Sequence, residues 1–433
     1  MKEFQQGQMI KTLSGDSLKV IQKLGEGGQG VVYKVEYKGK EKALKWYFAN
    51  KLHNPDDFYK NLQRNIKNGS PNKAFLWPEE LTEHFDESFG YIMNLRPAEY
   101  KDFGRILLAK EHFSNLYTAI DAALCIVNGF RVLHNNGYSY QDLNDGNFFV
   151  NPNTGDVLIC DNDNVAPFGK SLGIAGKCRY MAPEIVLGMK CPDIHTDRFS
   201  LAVILYLLLF LNHPLEGKRT MCPCMTEELE FSFYGKDAVF VYDPNNDSNR
   251  PVKGIHTNEL KFWPLYPEFI QTLFERSFSR DAMVGKDVEH RVMEKDWEEA
   301  FINLKGSVMK CPFCGNEIFI NPALQKQKCI HCGKIIERPL MLKVKKYTAV
   351  LVEGAKLYAC HVKHDSSDFR TVMGEVVSNK TNPKLLGLKN CSGFAWEAIL
   401  PNGDRKPYEE GKVFKLGAGL KINLGNGNIA EIF

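Results

Sequence analysis

The stretch Y-S-Y-Q-D-L-N-D-G-N-F-F-V, residues Tyr138–Val150, places two polar groups, Asp142 and Asn147, between two apolar segments. A segment with helical spacing, closed by Gly137, comes before it, and the turn N-P-N-T-G-D follows. Turn chemistry is one explanation for the pair, because Asp and Asn are common turn residues. The other explanation is that Asp142 accepts a proton and Asn147 holds a metal ion. The remaining motifs decide between the two.

The composition is typical of a soluble globular protein. Of the 433 residues, 44% are hydrophobic and 25% are charged, and the length favours roughly three domains. The formal net charge of +3 gives no electrostatic reason to expect nucleic acid or a membrane as a partner. No apolar run opens the chain, which predicts a cytoplasmic protein without a signal peptide. The most apolar segment, Phe199–Leu211, is too short to span a bilayer and is predicted to be a buried helix.

The spacing of apolar residues changes twice along the chain. Short β-branched and aromatic segments separated by glycine turns predict strands over the first ninety or so residues. From about Asp102 to Leu304 apolar residues recur at three and four, which predicts helices. Short strands and turns return from about Leu340 and suggest a small β-sandwich. The predicted fold class is therefore α+β, a strand-rich lobe and a larger helical lobe followed by C-terminal modules.

A glycine-rich loop, L-G-E-G-G-Q-G-V-V-Y-K-V, lies between two predicted strands and matches G-x-G-x-x-G-x-V. Such a loop can bring its backbone N–H groups close to phosphates, because glycine has no side chain. A strand follows instead of a helix, which argues against a dinucleotide-binding fold. Lys45 ends the later segment K-A-L-K, at the spacing of a lysine that pairs with α- and β-phosphates. The loop residues concerned are Gly25, Gly27, Gly28, Gly30 and Val32.

In their order and spacing these motifs resemble a eukaryotic-type Ser/Thr protein kinase over roughly residues 15–304. Y-Q-D-L-N-D-G-N aligns with the family's H-R-D-L-x-x-x-N, which implies that Asp142 is the catalytic aspartate and Asn147 a magnesium ligand. Asp161 directly follows an apolar strand, where the aspartate of D-F-G belongs, and Asp163 is the competing choice. Phosphoryl transfer thus explains why one short loop holds both polar groups.

The later motifs stand in the family's order. A-P-E at residues 182–184 ends an activation segment, and Asp197 is expected to brace the backbone of the catalytic loop. Arg291 is expected to pair with Glu184. The resemblance implies a bilobal kinase domain over residues 1–305, with the N-lobe at about 1–93 and the C-lobe at about 97–305. It also implies ATP and Mg²⁺ (or Mn²⁺) as cofactors, with adenine contacted by Met93, Asn94, Leu95 and Arg96.

The chain departs from the family around the same site. The lysine of the catalytic loop is Asn144, and the threonine that touches that lysine is Lys177. These positions face each other in the family, so Lys177 is predicted to be catalytic by supplying the missing ammonium group. The alternative is that Lys177 points to solvent at the rim of the activation segment. The helix that normally carries the lysine's glutamate partner has none, and three neutral substitutes stay open: Asn61, Gln63 and Asn65. The remaining substitutions are Tyr140 and Gln141 in H-R-D, and Asn162 and Asp163 in D-F-G.

Two longer segments, residues 69–100 and 235–251, resemble a bacterial group of kinases. Those kinases accompany a von Willebrand A-type protein and a metal-dependent protein phosphatase, as in the TerY-type phosphorylation triad. The resemblance implies these two partners besides a protein substrate.

Four cysteines show the spacing C-x2-C-x14-C-x2-C, with a glycine after each second cysteine. This pattern resembles a zinc ribbon over residues 306–338, in which four thiolates hold a structural Zn²⁺. A ribbon can bind nucleic acid or join domains, and no basic-aromatic patch nearby supports the first role. The predicted ligands are Cys311, Cys314, Cys329 and Cys332.

Two further features leave alternatives open. Cys222 and Cys224, with Cys191 or His213, either form a second metal site or are thiols packed under a loop. The tail, residues 339–433, faintly resembles a forkhead-associated β-sandwich, but the family's phosphothreonine-binding residues cannot be located in it. A degenerate docking module is therefore predicted there.

The sequence favours an active Ser/Thr protein kinase with accessory C-terminal modules. A pseudokinase scaffold is the first alternative, because the glutamate is missing and D-F-G is altered. A zinc-ribbon nucleic-acid-binding protein is the second. The presence of all four charge-handling groups favours activity, since an inactive site has no physical need for them: Lys45, Asp142, Asn147 and Asp161.

Overall fold

The computed structural model describes residues 3–52, 54–173, 176–285, 288–363, 367–399, 403–425 and 427–433. The chain divides into two compact units. The second unit combines stretches of the predicted helical lobe with the cysteine module and the C-terminal strands. The first unit comprises Met1–His112, Gly129–Val252 and Glu275–Arg291, and the second comprises Phe113–Asn128, Lys253–Phe274 and Val292–Phe433.

An antiparallel six-stranded sheet opens the first unit, in the order β1-β2-β3-β4-β6-β5. Its strands are β1 Met9–Lys11, β2 Ser17–Glu26, β3 Gly30–Tyr37, β4 Lys40–Tyr47, β5 Glu80–Leu81 and β6 Gly90–Asn94. Lys38 and Gly39 both have positive φ between β3 and β4, the backbone that a two-residue hairpin turn requires. Alternate residues of β2 and β3 are buried in one core, among them Leu18, Val20 and Val35.

Helix α1, Pro55–Asn68, packs against this sheet. It begins where the Asn54 side chain accepts a hydrogen bond from the Asp57 amide, and it ends before Gly69, whose φ is 74°. Phe58 and Leu62 are buried in a core shared with strands β4 and β6. The helix is thus fixed against the sheet by its apolar face.

The helical part confirms the change of pattern predicted after Asp102. Helix α5 is buried along almost its whole length, as predicted for the most apolar segment, and Asp193 caps its start. In the described residues one helix, α3, has the length and hydropathy to cross a membrane, and 67% of its most apolar window is buried. The helices are α2 Phe103–Leu107, α3 Leu116–Asn135, α4 Pro183–Val186, α5 Ile194–Phe210, α6 Glu227–Phe231, α7 Thr257–Phe262, α8 Glu268–Ser277, α9 Arg280–Val284 and α10 Glu294–Gly306.

Five short strands include or lie near the segment between Tyr138 and Val150. They form a sheet in the order β10-β9-β7 and a pair β11-β8. Their bounds are β7 Lys101–Asp102, β8 Tyr138–Ser139, β9 Phe148–Val150, β10 Val157–Ile159 and β11 Ala166–Pro167. This part of the chain is thus β-rich at its start and helical afterwards.

The second unit ends in two small hairpins and two larger antiparallel sheets, in the orders β17-β16-β25-β24-β21-β22 and β18-β19-β20-β23. One apolar core joins the hairpins and both sheets, so the predicted return to strands is confirmed. Gly374 allows the sheets to approach, because a Cβ there would lie 2.8 Å from the ring of Trp396. The elements are β12 Val308–Lys310, β13 Glu317–Phe319, β14 Lys326–Lys328, β15 Ile335–Glu337, β16 Met341–Val344, β17 Tyr347–Val350, β18 Lys356–Tyr358, α11 Ala359–Val362, β19 Val372–Ser378, β20 Leu386–Asn390, β21 Trp396–Ile399, β22 Arg405–Tyr408, β23 Val413–Lys415, β24 Lys421–Asn423 and β25 Ile429–Ile432.

Candidate functional site

The loop between β8 and β9 is held by its backbone. The buried Asp197 carboxylate accepts hydrogen bonds from the amides of Tyr140 (2.6 Å) and Gln141 (3.0 Å), as predicted. The Tyr140 hydroxyl donates to the carbonyl of Cys160, the residue before Asp161. Tyrosine in place of the family's histidine therefore still ties the catalytic loop to the following strand.

Asp142 lies at the centre of this loop with its carboxylate partly buried. The Asn144 amide donates to one carboxylate oxygen at 3.1 Å, and the Asn164 amide donates to the other at 3.4 Å. Burial raises the pKa of Asp142 from its ordinary 3.8 to about 6, and these neutral partners do not offset the cost of ionising it. The group can therefore act as a base near neutral pH.

Asn147 and Asp161 lie close together because the hairpin of β9 and β10 brings their backbones side by side. Phe148 pairs with Ile159, and the Cys160 amide donates to the Asn147 carbonyl at 2.9 Å. The Asn147 side-chain amide donates to the Asp142 carbonyl at 2.8 Å. Asp161 has a left-handed backbone, which Asp tolerates, and its side chain is 39% exposed.

The ammonium of Lys45 is buried and has two carboxylate partners. Its Nζ lies 3.3 Å from an Asp161 oxygen and 2.8 Å from an Asp163 oxygen. These carboxylates raise the pKa of Lys45 against the opposing effect of burial, so the ammonium stays charged. Three predicted groups, Lys45, Asp142 and Asp161, are therefore brought together with Asn147 in one site.

None of the three residues considered as the lysine's partner on α1 serves that role in the described structure. The side-chain amides of Asn61 and Asn65 each donate to the Val165 carbonyl at 2.8 Å, and Gln63 is exposed. Sequence reasoning considered Asp163 only as a metal ligand and did not consider it as the partner of Lys45. One feature of the sequence pointed to a polar site beside β4. Residues two apart in a strand share one face, so Lys45 and Tyr47 were expected to point to the same side of β4.

The glycine-rich loop joins β2 to β3. A Cβ at Gly30 would lie 2.1 Å from the Trp46 carbonyl, so this position requires glycine. The other three glycines are exposed, and Cβ atoms added to them would meet nothing within 4 Å. Val32 is paired with Lys45 across β3 and β4. The three exposed glycines of this loop are Gly25, Gly27 and Gly28.

The predicted hinge begins in the last two residues of strand β6 and continues beyond it. Met93 is buried, and the exposed Asn94 accepts a hydrogen bond from Lys42 at 2.7 Å. Leu95 comes next, and the Arg96 guanidinium lies 4.1 Å from the centre of the Phe149 ring. These residues form the connection between the sheet and the helical part of the unit.

Lys177 lies beside the catalytic loop with its side chain 59% exposed. Its Nζ is 3.6 Å from an Asp145 oxygen and 3.6 Å from the position of a Cβ on Gly146. Its charge lowers the pKa of Asp142 in opposition to burial. Asp145 was not predicted as its partner, and the proposed role of Lys177 at the phosphate stays a prediction.

Side chains of the same unit hold the activation segment near its middle and at its end. Gln141 donates to the Lys170 carbonyl at 2.6 Å and accepts from the Leu172 amide at 3.4 Å. Arg291 makes two hydrogen bonds of 2.8 Å to the Glu184 carboxylate, as predicted. A neutral glutamine thus contacts the segment where the family has arginine.

The four predicted cysteines converge in the second unit, and their sulfurs all lie within 4.8 Å of one another. The sulfurs of Cys311 and Cys332 are 3.9 Å apart, and those of Cys314 and Cys329 are 3.8 Å apart. Four sulfurs at the Zn–S distance of about 2.3 Å from a tetrahedral centre lie about 3.8 Å apart. The residues therefore fit a zinc ion.

The second metal site considered above is not formed by the described residues. Among them the four-cysteine cluster is the one group of three or more His, Cys, Asp or Glu residues with suitable spacing. Cys191 and Cys224 are exposed, so the alternative of thiols packed under a loop is also wrong for these two. His213 is buried and contacts the Arg179 carbonyl at 2.8 Å.

The protein kinase domain family matches residues 18–251, which is more than half of the chain. The chain therefore belongs to the protein kinase domain family.

Relatives of the chain carry kinase names. It is 25% identical over 236 residues to a protein of Acanthamoeba polyphaga mimivirus named a serine/threonine-protein kinase, which covers 53% of this chain and 39% of the relative. It is 24% identical over 281 residues to a protein of Dictyostelium discoideum named a cyclin-dependent serine/threonine-protein kinase. This match covers 62% of this chain and 41% of the relative. The chain thus spans about two fifths of the length of these curated relatives. The crystal structure of the Mycobacterium tuberculosis PknI kinase domain is similar with a TM-score of 0.38 and 19% identity, over 51% of this chain and 82% of that one.

Proposed function

We propose that this protein is an active Ser/Thr protein kinase that transfers the γ-phosphoryl group of ATP to a hydroxyl of a protein substrate. The observation that carries the proposal is the convergence of an ammonium, two carboxylates and an amide: Lys45, Asp142, Asp161 and Asn147. Phosphoryl transfer depends mainly on positioning and charge neutralisation, which these groups supply.

The nucleotide is held from the sheet side of the site. Backbone N–H groups of the loop from Gly25 to Gly30 face the phosphates, and Lys45 binds the α- and β-phosphates. Hinge residues Met93 to Arg96 contact adenine. The oxygen ligands of Asp161 and Asn147 suit Mg²⁺ or Mn²⁺, which neutralises phosphate charge when bound.

Asp142 orients the acceptor hydroxyl and takes its proton. Its raised pKa of about 6 supports this role, because a base near the working pH combines ionisation with affinity for the proton. Lys177 adds positive charge next to the catalytic loop, in place of the family's loop lysine. Its flexible four-carbon stem allows it to reach toward a phosphate.

A pseudokinase that binds nucleotide without catalysis is the second candidate, favoured by the exposure of Lys177 and the absence of a glutamate on α1. The test is incubation of the full chain and a generic protein acceptor with ATP and Mg²⁺ or Mn²⁺, followed by mapping of phosphosites by mass spectrometry. An active kinase gives new phosphoserine or phosphothreonine, whereas a pseudokinase gives ATP binding by calorimetry and no phosphosites.

The C-terminal modules have an accessory role in this proposal. The cysteine cluster is a structural zinc ribbon, because all four positions of a tetrahedral site are occupied by thiolates. The following β-region serves as a docking or regulatory module. The resemblance to the TerY-type triad, and hence to a bacterial group, supports a von Willebrand A-type protein and a metal-dependent phosphatase as partners. We place the protein in the cytoplasm.

A further inference from the structure

Asp163 is a wholly buried carboxylate surrounded by donors from the sheet. One of its oxygens accepts hydrogen bonds from Lys45 at 2.8 Å and from the Tyr47 hydroxyl at 2.5 Å. The other oxygen accepts from the Tyr91 hydroxyl at 3.4 Å. A buried carboxylate is tolerated only when it is paired and hydrogen-bonded, and this one is both.

The three donors reach Asp163 because of strand geometry. Lys45 and Tyr47 are two residues apart in β4 and share one face, and Tyr91 of β6 is paired with Lys45 in the ladder. Burial raises the pKa of both tyrosines well above their ordinary value, so each keeps its proton for donation. The sheet therefore presents one ammonium and two hydroxyls to a single carboxylate.

Helix α1 contributes no charge to this arrangement in the described residues. Its buried polar residues, Asn61 and Asn65, donate to the backbone carbonyl of Val165, two residues beyond Asp163. The lysine's carboxylate partners therefore lie on the segment after β10 and not on the helix.

We infer that Asp163 replaces the glutamate missing from α1 and is the positioning residue that holds the Lys45 ammonium toward the phosphates of ATP. The inference rests on the proposed kinase function. Since the partner of Lys45 and the metal ligand Asp161 lie two residues apart, both are held by one segment. A displacement of α1 then leaves the ion pair intact, unlike an arrangement in which the helix supplies the partner.

A double-mutant cycle tests whether Asp163 acts through Lys45. The turnover number kcat is measured for the wild type, Lys45→Gln, Asp163→Asn and the double variant. We expect Asp163→Asn to lower kcat by about tenfold or more in the wild type and by less than about twofold in the Lys45→Gln background. Equal losses in both backgrounds would show that Asp163 acts independently of Lys45 and would overturn the inference.

Two further measurements keep the inference open to refutation. If Asp163→Asn does not fold, Tyr47→Phe replaces it in the cycle, because it removes a hydrogen bond from the same carboxylate oxygen. Its kcat loss should also disappear in the Lys45→Gln background, and persistence of that loss would overturn the inference.

If the wild type transfers no phosphate, the proposed function fails, and the cycle is run on thermal unfolding midpoints. Midpoint decreases that add in the double variant would then overturn the pairing itself.

Discussion

Replacing the proposed catalytic base with its neutral isostere, Asp142→Asn, should stabilise the protein at neutral pH while abolishing phosphoryl transfer. Burial raises the pKa of Asp142 from 3.8 to about 6 in the folded state. Each pKa unit corresponds to about 1.4 kcal/mol, so the ionised carboxylate lowers the free energy of unfolding by at most about 3 kcal/mol. The structure thus ties the expected loss of activity to an expected gain in stability.

The sign of the pH dependence follows from proton binding. The folded state binds the Asp142 proton more tightly than the unfolded state, so this group makes the wild type lose stability as pH rises from about 4 to about 6. The destabilisation is complete above that range. Asp142→Asn cannot titrate, and its stability advantage over the wild type should therefore grow by about 1 kcal/mol or more between pH 5 and pH 8.

The assay is thermal unfolding followed by circular dichroism, without nucleotide or divalent metal. At pH 8 the variant should melt up to roughly 6 °C above the wild type, taking about 2 °C per kcal/mol for a unit of this size. The exposed Asp102, whose side chain makes no capping hydrogen bond, provides the control Asp102→Asn, with no pH-dependent difference expected. A difference between Asp142→Asn and wild type that is constant from pH 5 to pH 8 would refute the reasoning.

Three other substitutions test separate parts of the account. Lys177→Ala should lower kcat by about a hundredfold with ATP affinity little changed, because a charge preorganised at a developing anion contributes about 3 kcal/mol; steady-state kinetics giving wild-type turnover would end that proposal. Ser171→Ala should keep full activity, because the neutral Gln141 already holds the segment on both sides of this exposed serine. Loss of activity in Ser171→Ala, with recovery in Ser171→Glu, would contradict this prediction. Cys329→Ser should lower the zinc content from about one ion per chain and destabilise the ribbon without changing kcat, and elemental analysis showing undiminished zinc would exclude this ligand.

The catalytic loop, the strands that flank it and the four-cysteine cluster could be predicted from the sequence, because each is formed by residues close together in the chain. Asp142, Asn147 and Asp161 stand at fixed offsets from short strands, and hydrogen bonding within one hairpin brings them together. The hydrogen bonds from the loop amides to Asp197 and from Arg291 to Glu184 followed from the family's motif order. A residue's position could be predicted wherever its neighbours along the chain determine it.

The partner of Lys45 was not predictable in the same way. It is selected by the packing of β4, β6 and the segment after β10, which lie far apart in sequence. Sequence reasoning therefore looked for a glutamate substitute on α1, where the family has one. The composition of the second unit was hidden for the same reason, because helical stretches at 113–128 and 253–274 join the C-terminal strands through tertiary packing.

The most direct test of the central claim is the rate of γ-phosphoryl transfer from labelled ATP with Mg²⁺, measured side by side for the wild type and Asp161→Ala. Removal of this carboxylate takes away a proposed metal ligand and one partner of Lys45, while Asp163 still pairs with the lysine and supports the fold. We predict stable label on serine or threonine with the wild type and none above background with the variant. Equal incorporation by the two proteins, or none by the wild type, would contradict the account.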